Sequence, residues 1–194
     1  MTEAEHNWHL LRQSGLGGTD MARLAGSSPW GTAADVYVEK TTPIVYSPVE
    51  ESINITHQRG HYLEPLICKY YAQRNNVQVF HNSDNMIQVH PIDEFFYITP
   101  DALIPEKNTG LEIKTVAGDG AKRWDDGVPE HVYIQIQHAI NVYGYDSWEL
   151  AYLINDTYRE LTIPRNCYRD WETDRKSTRL NSSHSAKSRM PSSA

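Results

Sequence analysis

The spacing of apolar and polar positions predicts a chain that mixes helices with short strands. Apolar residues three or four positions apart predict helices over residues 4–13, 21–25, 33–40, 54–75 and 129–143. Short apolar segments between turn residues predict strands over residues 77–81, 86–90, 95–99, 111–116, 148–154 and 158–163. The pattern therefore indicates an α/β (α+β) fold class.

Local signals predict where several of these elements begin and turn. The candidate residues at the starts of helices are Thr19 or Asp20, Thr32 and Pro129. Residues 82–85 predict a hairpin turn between the strands 77–81 and 86–90. Asn155 and Asp156 predict the turn of a final hairpin.

Two helices carry an apolar stripe that predicts their buried side. Helix 54–75 has the stripe Leu63, Leu66, Ile67, Tyr70 and Tyr71, with Pro65 as a start or kink. Helix 129–143 has the stripe Val132, Ile136, Ala139, Ile140 and Tyr143. Gln135 and His138 lie on the neighbouring stripe, where they can face a cleft.

One predicted hairpin, residues 98–104 and 110–115, carries a concentration of charged side chains. Side chains alternate along a strand, so Glu112 and Lys114 share one face, and the returning strand can bring Asp101 beside Glu112. Two carboxylates suit Mg²⁺ or Mn²⁺. The lysine can then orient a water or neutralise charge on a phosphoryl group. The alternative is a surface salt bridge on a sheet edge.

The length and composition indicate the class of protein. A chain of 194 residues with 39% apolar and 22% charged residues is typical of one soluble globular domain. Cys68 and Cys167 offer neither a disulfide framework nor a zinc spacing, which favours a reducing, cytoplasmic setting. No apolar run approaches the length needed to span a membrane.

The last residues need separate treatment. Residues 174–194 resemble the translation of a widely used sequencing adapter, so we expect residues 169–194 to be a non-native or disordered tail and residues 1–168 to form the domain. The alternative is a natural basic arm. Residues 174–194 hold five basic residues and one acid, so the remainder has a net charge of about −11 against −7 for the whole chain. Such a chain needs a few well-placed cations, metal ions or backbone N–H groups to bind DNA.

A glycine-rich loop offers a second candidate site. Residues 15–20 lead into a helix N-terminus, with Arg12 nearby, and such a loop can hold a phosphate. The loop is not a dinucleotide fingerprint, because no strand precedes it and no third glycine has the required spacing. A plain capped turn is the alternative.

Seven motifs in order resemble the YqaJ-type viral recombinase family, relatives of phage lambda exonuclease among the PD-(D/E)xK nucleases. The resemblance covers roughly residues 12–166. Its motifs are Gly17-Gly18-Thr19-Asp20, Ser28-Pro29-Trp30, Arg59-Gly60 with Leu63-Glu64-Pro65, Thr99-Pro100-Asp101, Leu111-Glu112-Ile113-Lys114, Gln135-Ile136-Gln137-His138 and Ile163-Pro164-Arg165. Each motif alone is weak, and their order makes the signal specific.

The resemblance implies a three-layer, restriction-endonuclease-like core with a mixed central sheet flanked by helices. It implies that one or two Mg²⁺ (or Mn²⁺) ions are bound by three groups: Asp101, Glu112 and the Ile113 carbonyl. It further implies that Glu64 assists at a second metal or through water, and that Lys114 activates the attacking water. The residues implied to contact the DNA, including its 5′-phosphate, are Arg12, Thr19, Thr99 and Gln135.

The resemblance also implies an activity and partners. The family degrades one strand of linear duplex DNA, 5′ to 3′, in phage recombination, with an annealing protein as partner and a ring-shaped homotrimer in the best-known relative. The family's C-terminal helices are expected to be missing from this chain. Two other functions remain open on the same fold: an endonuclease or resolvase, and a catalytically silent DNA-binding module.

Overall fold

A computed structural model describes residues 3–44, 55–84 and 86–166 of the chain. The helices, in chain order, are α1 (Glu3–Gln13), α2 (Gly18–Leu24), α3 (Ala33–Thr41), α4 (Ile55–Asn75) and α5 (Glu130–Tyr143). The strands are β1 (Phe80–His81), β2 (Gln88–Val89), β3 (Tyr97–Ile98), β4 (Ala102–Ile104), β5 (Thr109–Val116), β6 (Ser147–Ile154) and β7 (Thr157–Pro164). Two 3₁₀ helices, Pro105–Lys107 and Gly118–Trp124, flank β5.

Five strands form one mixed sheet in the order β1-β4-β5-β6-β7. β5 and β6 are parallel, and the other neighbouring pairs are antiparallel. Parallel neighbours need a crossover connection, and α5 provides it between β5 and β6. The strands β2 and β3 form a separate two-stranded sheet.

Helices cover both faces of the five-stranded sheet, so the domain has three layers. On one face, Ile67 and Tyr71 of α4 pack against Ala102, Leu111 and Ala151. On the other face, α5 packs against the sheet through a second apolar cluster: Val132, Ile136, Ala139, Ile140, Trp148, Leu150 and Tyr152. The predicted α+β class with a mixed central sheet is confirmed.

The central hairpin forms, but its first arm is shorter than the predicted residues 98–104: only Ala102–Ile104 form β4, and Ile98 belongs to β3 in the small sheet. β4 pairs with β5 in a register that sets Ala102 opposite Leu111 and Ile104 opposite Thr109. The 3₁₀ turn between them closes at Asn108, whose φ of 50° is in the left-handed region that asparagine tolerates. The final hairpin also forms, with Asn155 at a φ of 52° in its turn.

The predicted hairpin of strands 77–81 and 86–90 is wrong. β1 pairs with β4, while β2 pairs with β3 in the small sheet, so the two strands are not neighbours. The reason lies in Asn82, whose side-chain amide donates to the carbonyls of Met86 and Pro100 and whose N–H donates to Asp101. These contacts tie the turn to the central hairpin. Of the predicted strand 95–99, only Tyr97 and Ile98 form a strand, β3, and it lies in the small sheet.

Two predictions about helix starts need correction. Gly17, not Thr19 or Asp20, is the N-cap of α2, and the Asp20 carboxylate accepts from the Gly17 N–H at 2.9 Å. Pro129 is the N-cap of α5 and not its first helical residue. Thr32 caps α3 as predicted, because its hydroxyl accepts from the Asp35 N–H.

The predicted apolar stripes are correct in part. In α4, Ile67 and Tyr71 are buried but Leu66 and Tyr70 are exposed, so the helix buries a narrower stripe. Pro65 lies inside α4 and does not start it. In α5 every predicted core residue except the half-buried Tyr143 is buried.

Gly110 in β5 tests the packing of the central hairpin. A Cβ there would lie 2.0 Å from the fully buried Trp148 ring, which cannot move without displacing its neighbours. We expect Gly110→Ala to lower the free energy of unfolding by about 3 kcal/mol, the upper range for overpacking. Urea denaturation measures the change. Gly18→Ala is the control, since its Cβ would make ordinary contacts at 3.4 Å; equal stability of the two variants would contradict the packing.

Candidate active site

Asp101, Glu112 and Lys114 lie together on one face of the central hairpin. Extending the β4–β5 register by one position sets Asp101 opposite Glu112, and directly opposed side chains on a sheet lie close together. The Lys114 ammonium donates to the Glu112 carboxylate at 2.5 Å. This face points toward α5, because Glu112 and Lys114 are register partners of the core residues Leu150 and Tyr152.

The electrostatics of this cluster are dominated by burial. Burial, together with the neighbouring Glu112 carboxylate, raises the pKa of Asp101 well above its ordinary value, although Lys114 acts in the opposite direction. Burial lowers the pKa of Lys114, but the Glu112 and Asp101 carboxylates outweigh it and hold the pKa above its ordinary value. At neutral pH the lysine is therefore charged, and it offsets only part of the repulsion between two acids.

The backbone of Ile113 completes the edge beside Asp101. Ile113 has no paired residue in β4, because β4 begins at Ala102 opposite Leu111. Its N–H donates instead to the Asp101 carboxylate at 2.7 Å. The N–H and C=O of one strand residue point to the same side, so the Ile113 carbonyl also faces the side on which Asp101 lies. A third oxygen thus stands at the carboxylate pair.

Glu64 approaches the same cluster from α4. It is half-buried, and its charge contributes to the raised pKa values of Asp101 and Lys114. Its carboxylate also lies 3.7 Å from His81 and 4.0 Å from His61. Cys68, one turn further along α4, stays a thiol, since burial and then the charges of Asp101 and Glu64 raise its pKa to about 12.

The donor set fits a hard divalent cation. Two mutually repelling carboxylates with an adjacent carbonyl supply oxygen ligands, and Mg²⁺ takes one or two carboxylates and keeps several waters. Across residues 3–44, 55–84 and 86–166, no three His, Cys, Asp or Glu side chains surround one point as a metal cage does. Mg²⁺ does not need such a cage, so the absence of one does not conflict with the chemistry of this donor set.

Gln135 faces the glycine loop from α5. A Cβ on Gly18 would contact the Gln135 backbone at 3.4 Å, so the start of α2 lies directly against this part of α5. Gln135 is half-buried. His138, predicted to face a cleft with it, is instead buried and hydrogen-bonded to the Tyr97 carbonyl at 2.8 Å. Of the two residues predicted to face a cleft, Gln135 is therefore partly accessible, whereas His138 is buried and has a structural role.

Among the described residues, no hydrogen bond joins Arg12, Thr19 and Thr99 to one another. The Arg12 guanidinium lies 4.5 Å from the Trp8 ring and donates to the Tyr97 hydroxyl at 3.4 Å. Thr19 is exposed on α2. The Thr99 hydroxyl oxygen is enclosed and has no hydrogen-bond partner among the described residues.

Sequence reasoning missed the ion pair that holds this region together. The buried Asp20 carboxylate accepts from the Lys40 ammonium at 2.8 Å, and Lys40 also donates to the Arg12 carbonyl at 2.6 Å. The Tyr97 hydroxyl donates to the same carbonyl at 3.0 Å. The spacing of Gly17 and Asp20 signals a cap, but nothing in the sequence pairs Lys40 with Asp20, which lies twenty positions away.

The mixed five-stranded sheet with helices on both faces is a restriction-endonuclease-like fold. Residues 7–146 match the model of the YqaJ-like viral recombinase domain, and the chain belongs to this family. It is 30% identical over 138 residues to the uncharacterised protein YqaJ of Bacillus subtilis (strain 168). That alignment covers 71% of this chain and 42% of the relative, so the chain spans less than half of the relative's length.

Solved structures share the fold. The alkaline exonuclease of Laribacter hongkongensis is 17% identical, with a TM-score of 0.62 and coverage of 94% of this chain and 93% of that chain. Its complex with dAMP gives a TM-score of 0.63 with the same coverage. A phage-related exonuclease from Haemophilus somnus 129PT is 12% identical, with a TM-score of 0.54 and coverage of 82% and 88%.

The raised pKa of Asp101 predicts the effect of its charge on stability. A carboxyl whose pKa is higher in the folded state holds its proton more tightly there, so stability falls as pH rises from the unfolded pKa through the folded one. At neutral pH without divalent ions, Asp101→Asn should therefore raise Tm by about 2–4 °C, the shift for roughly 1 kcal/mol in a chain of this size. The gain should shrink near pH 4.

Calorimetric unfolding in EDTA at the two pH values measures this effect. Asp126→Asn is the control, because that side chain is exposed. Added Mg²⁺ should stabilise the wild type more than the Asp101→Asn variant, since only the wild type keeps both charges. A variant that is less stable than the wild type at neutral pH would contradict the repulsion assigned to this pair.

Proposed function

We propose that this chain is a metal-dependent DNA exonuclease domain of the recombination type. The observation that carries the proposal is the pair Asp101 and Glu112, with Lys114 bonded to Glu112, at the end of the central hairpin. Membership of the YqaJ-like family and the fold shared with solved exonucleases support it. Hydrolysis of a phosphodiester needs charge stabilisation and a positioned water, and this cluster is suited to both.

Asp101, Glu112 and the Ile113 carbonyl would hold Mg²⁺ or Mn²⁺, with Glu64 at the edge of the site for a second ion or its water. The bound ion supplies Lewis-acid stabilisation of the non-bridging phosphate oxygens. Lys114 keeps its charge because of the two carboxylates, so it can orient the attacking water and stabilise negative charge as it develops. Gln135 would contact the substrate strand from α5.

The region of Arg12 suits a terminal 5′-phosphate. A guanidinium matches phosphate geometry, and that of Arg12 is oriented by Trp8 and Tyr97. The Thr99 hydroxyl is enclosed without a hydrogen-bond partner in the described chain, so a phosphate oxygen would satisfy it. Thr19, at the start of α2, would add a second hydroxyl. These contacts would favour digestion from the 5′ end, 5′ to 3′, on linear duplex DNA.

The partners follow from the same chemistry. The substrate would be the end of a DNA duplex, and the exposed 3′ strand would pass to an annealing protein. A ring-shaped homo-oligomer remains a prediction, since convergence of several subunits would concentrate the few cations of an acidic chain around DNA. No helix among the described residues is both long and apolar enough to cross a bilayer.

Glu112→Gln tests the catalytic assignment. The substitution removes one metal-ligand charge at nearly constant shape, so we expect a loss of cleavage on the order of 10³-fold or more with retained folding. DNA affinity should persist or rise, because repulsion between the acid and phosphate falls. Release of nucleotides from a 5′-labelled duplex with Mg²⁺ measures the rate.

The matched control for Glu112 is Glu149→Gln. Glu149 is also a buried acid on the central sheet, but it accepts from the Thr162 hydroxyl at 3.0 Å and lies on the α4 face. It should keep near-wild-type cleavage. Full activity of Glu112→Gln at saturating Mg²⁺ would remove this carboxylate from the mechanism.

Arg12→Ala tests the proposed phosphate pocket. The variant should lose the preference for 5′-phosphorylated over 5′-hydroxyl duplex ends while Mg²⁺ binding stays unchanged, because the guanidinium would contact only the phosphate. The measurement is the ratio of cleavage rates on the two ends. Arg74→Ala, which removes an exposed arginine paired with Glu160, is the control. Equal discrimination by Arg12→Ala and the wild type would refute the pocket.

A further inference from the structure

Trp30 is a large aromatic side chain that the fold leaves exposed. Its relative exposure is 62%, although burying an indole contributes more to folding than burying most side chains. Single exposed apolar residues are common on protein surfaces and by themselves carry no function. The contacts around Trp30 set it apart.

Hydrogen bonds with Ser28 and Arg23 fix the backbone of the turn that carries Trp30. The Trp30 N–H donates to the Ser28 hydroxyl at 3.2 Å, and the Arg23 guanidinium donates to the Trp30 carbonyl at 3.4 Å. Arg23 is itself held by two hydrogen bonds to Glu39, at 2.6 and 2.9 Å. A Cβ on Gly31 would lie 2.5 Å from the Arg23 side chain, so the turn follows this guanidinium closely. The backbone is therefore fixed while the indole remains in solvent.

The indole itself rests on a buried histidine. The His131 ring meets the Trp30 ring edge-on, with centroids 4.9 Å apart and an interplanar angle of 85°. Burial, with the nearby charges of Lys114 and Arg123, lowers the pKa of His131, so the imidazole is neutral at physiological pH. A neutral ring supports the indole without adding charge.

Two contacts place Trp30 near Lys114. Trp124 stacks on Tyr152 with centroids 4.7 Å apart, and Tyr152 is the register partner of Lys114 on the neighbouring strand. The preceding residue, Arg123, brings its guanidinium to 5.6 Å from the centre of the Trp30 ring. The exposed indole and this arginine therefore stand at the edge of the cluster formed by Asp101, Glu112 and Lys114.

A fixed, exposed indole with an arginine beside it matches the surfaces that bind single-stranded nucleic acids. Such surfaces stack bases on aromatic rings and attract the backbone with basic side chains. In a chain whose net charge is −7, an arginine at this position is a notable local cation. A rigid ring also loses little conformational entropy when a base stacks on it.

We propose that Trp30 is a stacking platform for one unpaired base of the DNA strand at the candidate active site, with Arg123 contacting the adjacent backbone. The proposal deepens the proposed function and rests on it. Its role is to position the strand near Lys114, where the scissile phosphate has to lie. Because stacking does not read hydrogen-bond donors and acceptors, the platform would accept any base.

The test is a binding cycle that does not depend on cleavage. In a Glu112→Gln background, which prevents hydrolysis, the affinity of a short 5′-phosphorylated single-stranded oligonucleotide is measured by fluorescence anisotropy. A series of oligonucleotides each carries one abasic position. The scan is repeated with Trp30→Leu, which keeps an apolar contact to His131, with Trp30→Phe, which keeps an aromatic face, and with Arg123→Gln.

One abasic position should weaken binding by about 5- to 100-fold, the range for one stacked base. Trp30→Leu should weaken the intact oligonucleotide by the same factor and abolish the effect of that abasic position. Trp30→Phe should retain most of the affinity. Arg123→Gln should weaken all the oligonucleotides alike and reduce the salt dependence. The control is Tyr37→Ala, since Tyr37 on α3 is another exposed aromatic, at 70%, and should have no effect.

If no abasic position weakens binding to the Glu112→Gln protein that keeps Trp30, the platform is overturned, and this result does not require any Trp30 variant to fold. An abasic effect that persists unchanged in Trp30→Leu overturns it as well. A change of oligomeric state in Trp30→Leu without any change in DNA affinity assigns the indole to a protein interface and also overturns it. Wild-type cleavage with Mg²⁺ is measured separately, so failure of the proposed nuclease function is distinguished from failure of the platform.

Discussion

The repulsion between Asp101 and Glu112 is the constraint on which the rest of the structure depends. The register of β4 and β5 sets the two acids opposite each other, and burial together with the charge of Glu112 raises the pKa of Asp101. Lys114 and the Ile113 N–H offset part of this cost. The hairpin tolerates the rest of this repulsion because apolar layers on both faces of the sheet fix its backbone. In the proposed function, a bound cation would offset the rest of this repulsion.

The second constraint is the scarcity of positive charge. If the chain binds DNA as proposed, an acidic domain cannot attract it through its general surface, so individual cations have to be placed at the site. Lys40 is used internally, where it neutralises Asp20 and holds the end of α1 through the Arg12 carbonyl. Arg12 and Arg123 each lie over a tryptophan ring, which fixes a guanidinium without neutralising it. The same packing therefore leaves two guanidinium groups charged at positions where, in the proposed function, they would contact a phosphate backbone.

Much of the fold could be predicted from local signals. The alternation of side chains in residues 111–116 and the turn before them were sufficient to predict the central hairpin and the shared face of Glu112 and Lys114. The pairing of β1 with β4 was not predictable, because Asn82 redirects the chain through contacts with Pro100 and Asp101, nearly twenty positions away. The ion pair of Asp20 and Lys40 and the exposure of Trp30 also depend on tertiary neighbours. The roles of Glu64, Gln135, Arg12, Thr19 and Thr99 came from family motifs and remain predictions.

The most direct test of the central claim compares linear 5′-phosphorylated duplex DNA with covalently closed circular duplex, each incubated with Mg²⁺ and with EDTA. A metal-dependent exonuclease predicts release of nucleotides from the linear duplex with Mg²⁺, no release in EDTA, and an intact circle throughout. Cleavage of the closed circle would indicate an endonuclease on the same fold. Binding of the linear duplex without any Mg²⁺-dependent cleavage would contradict the catalytic role of the carboxylate pair.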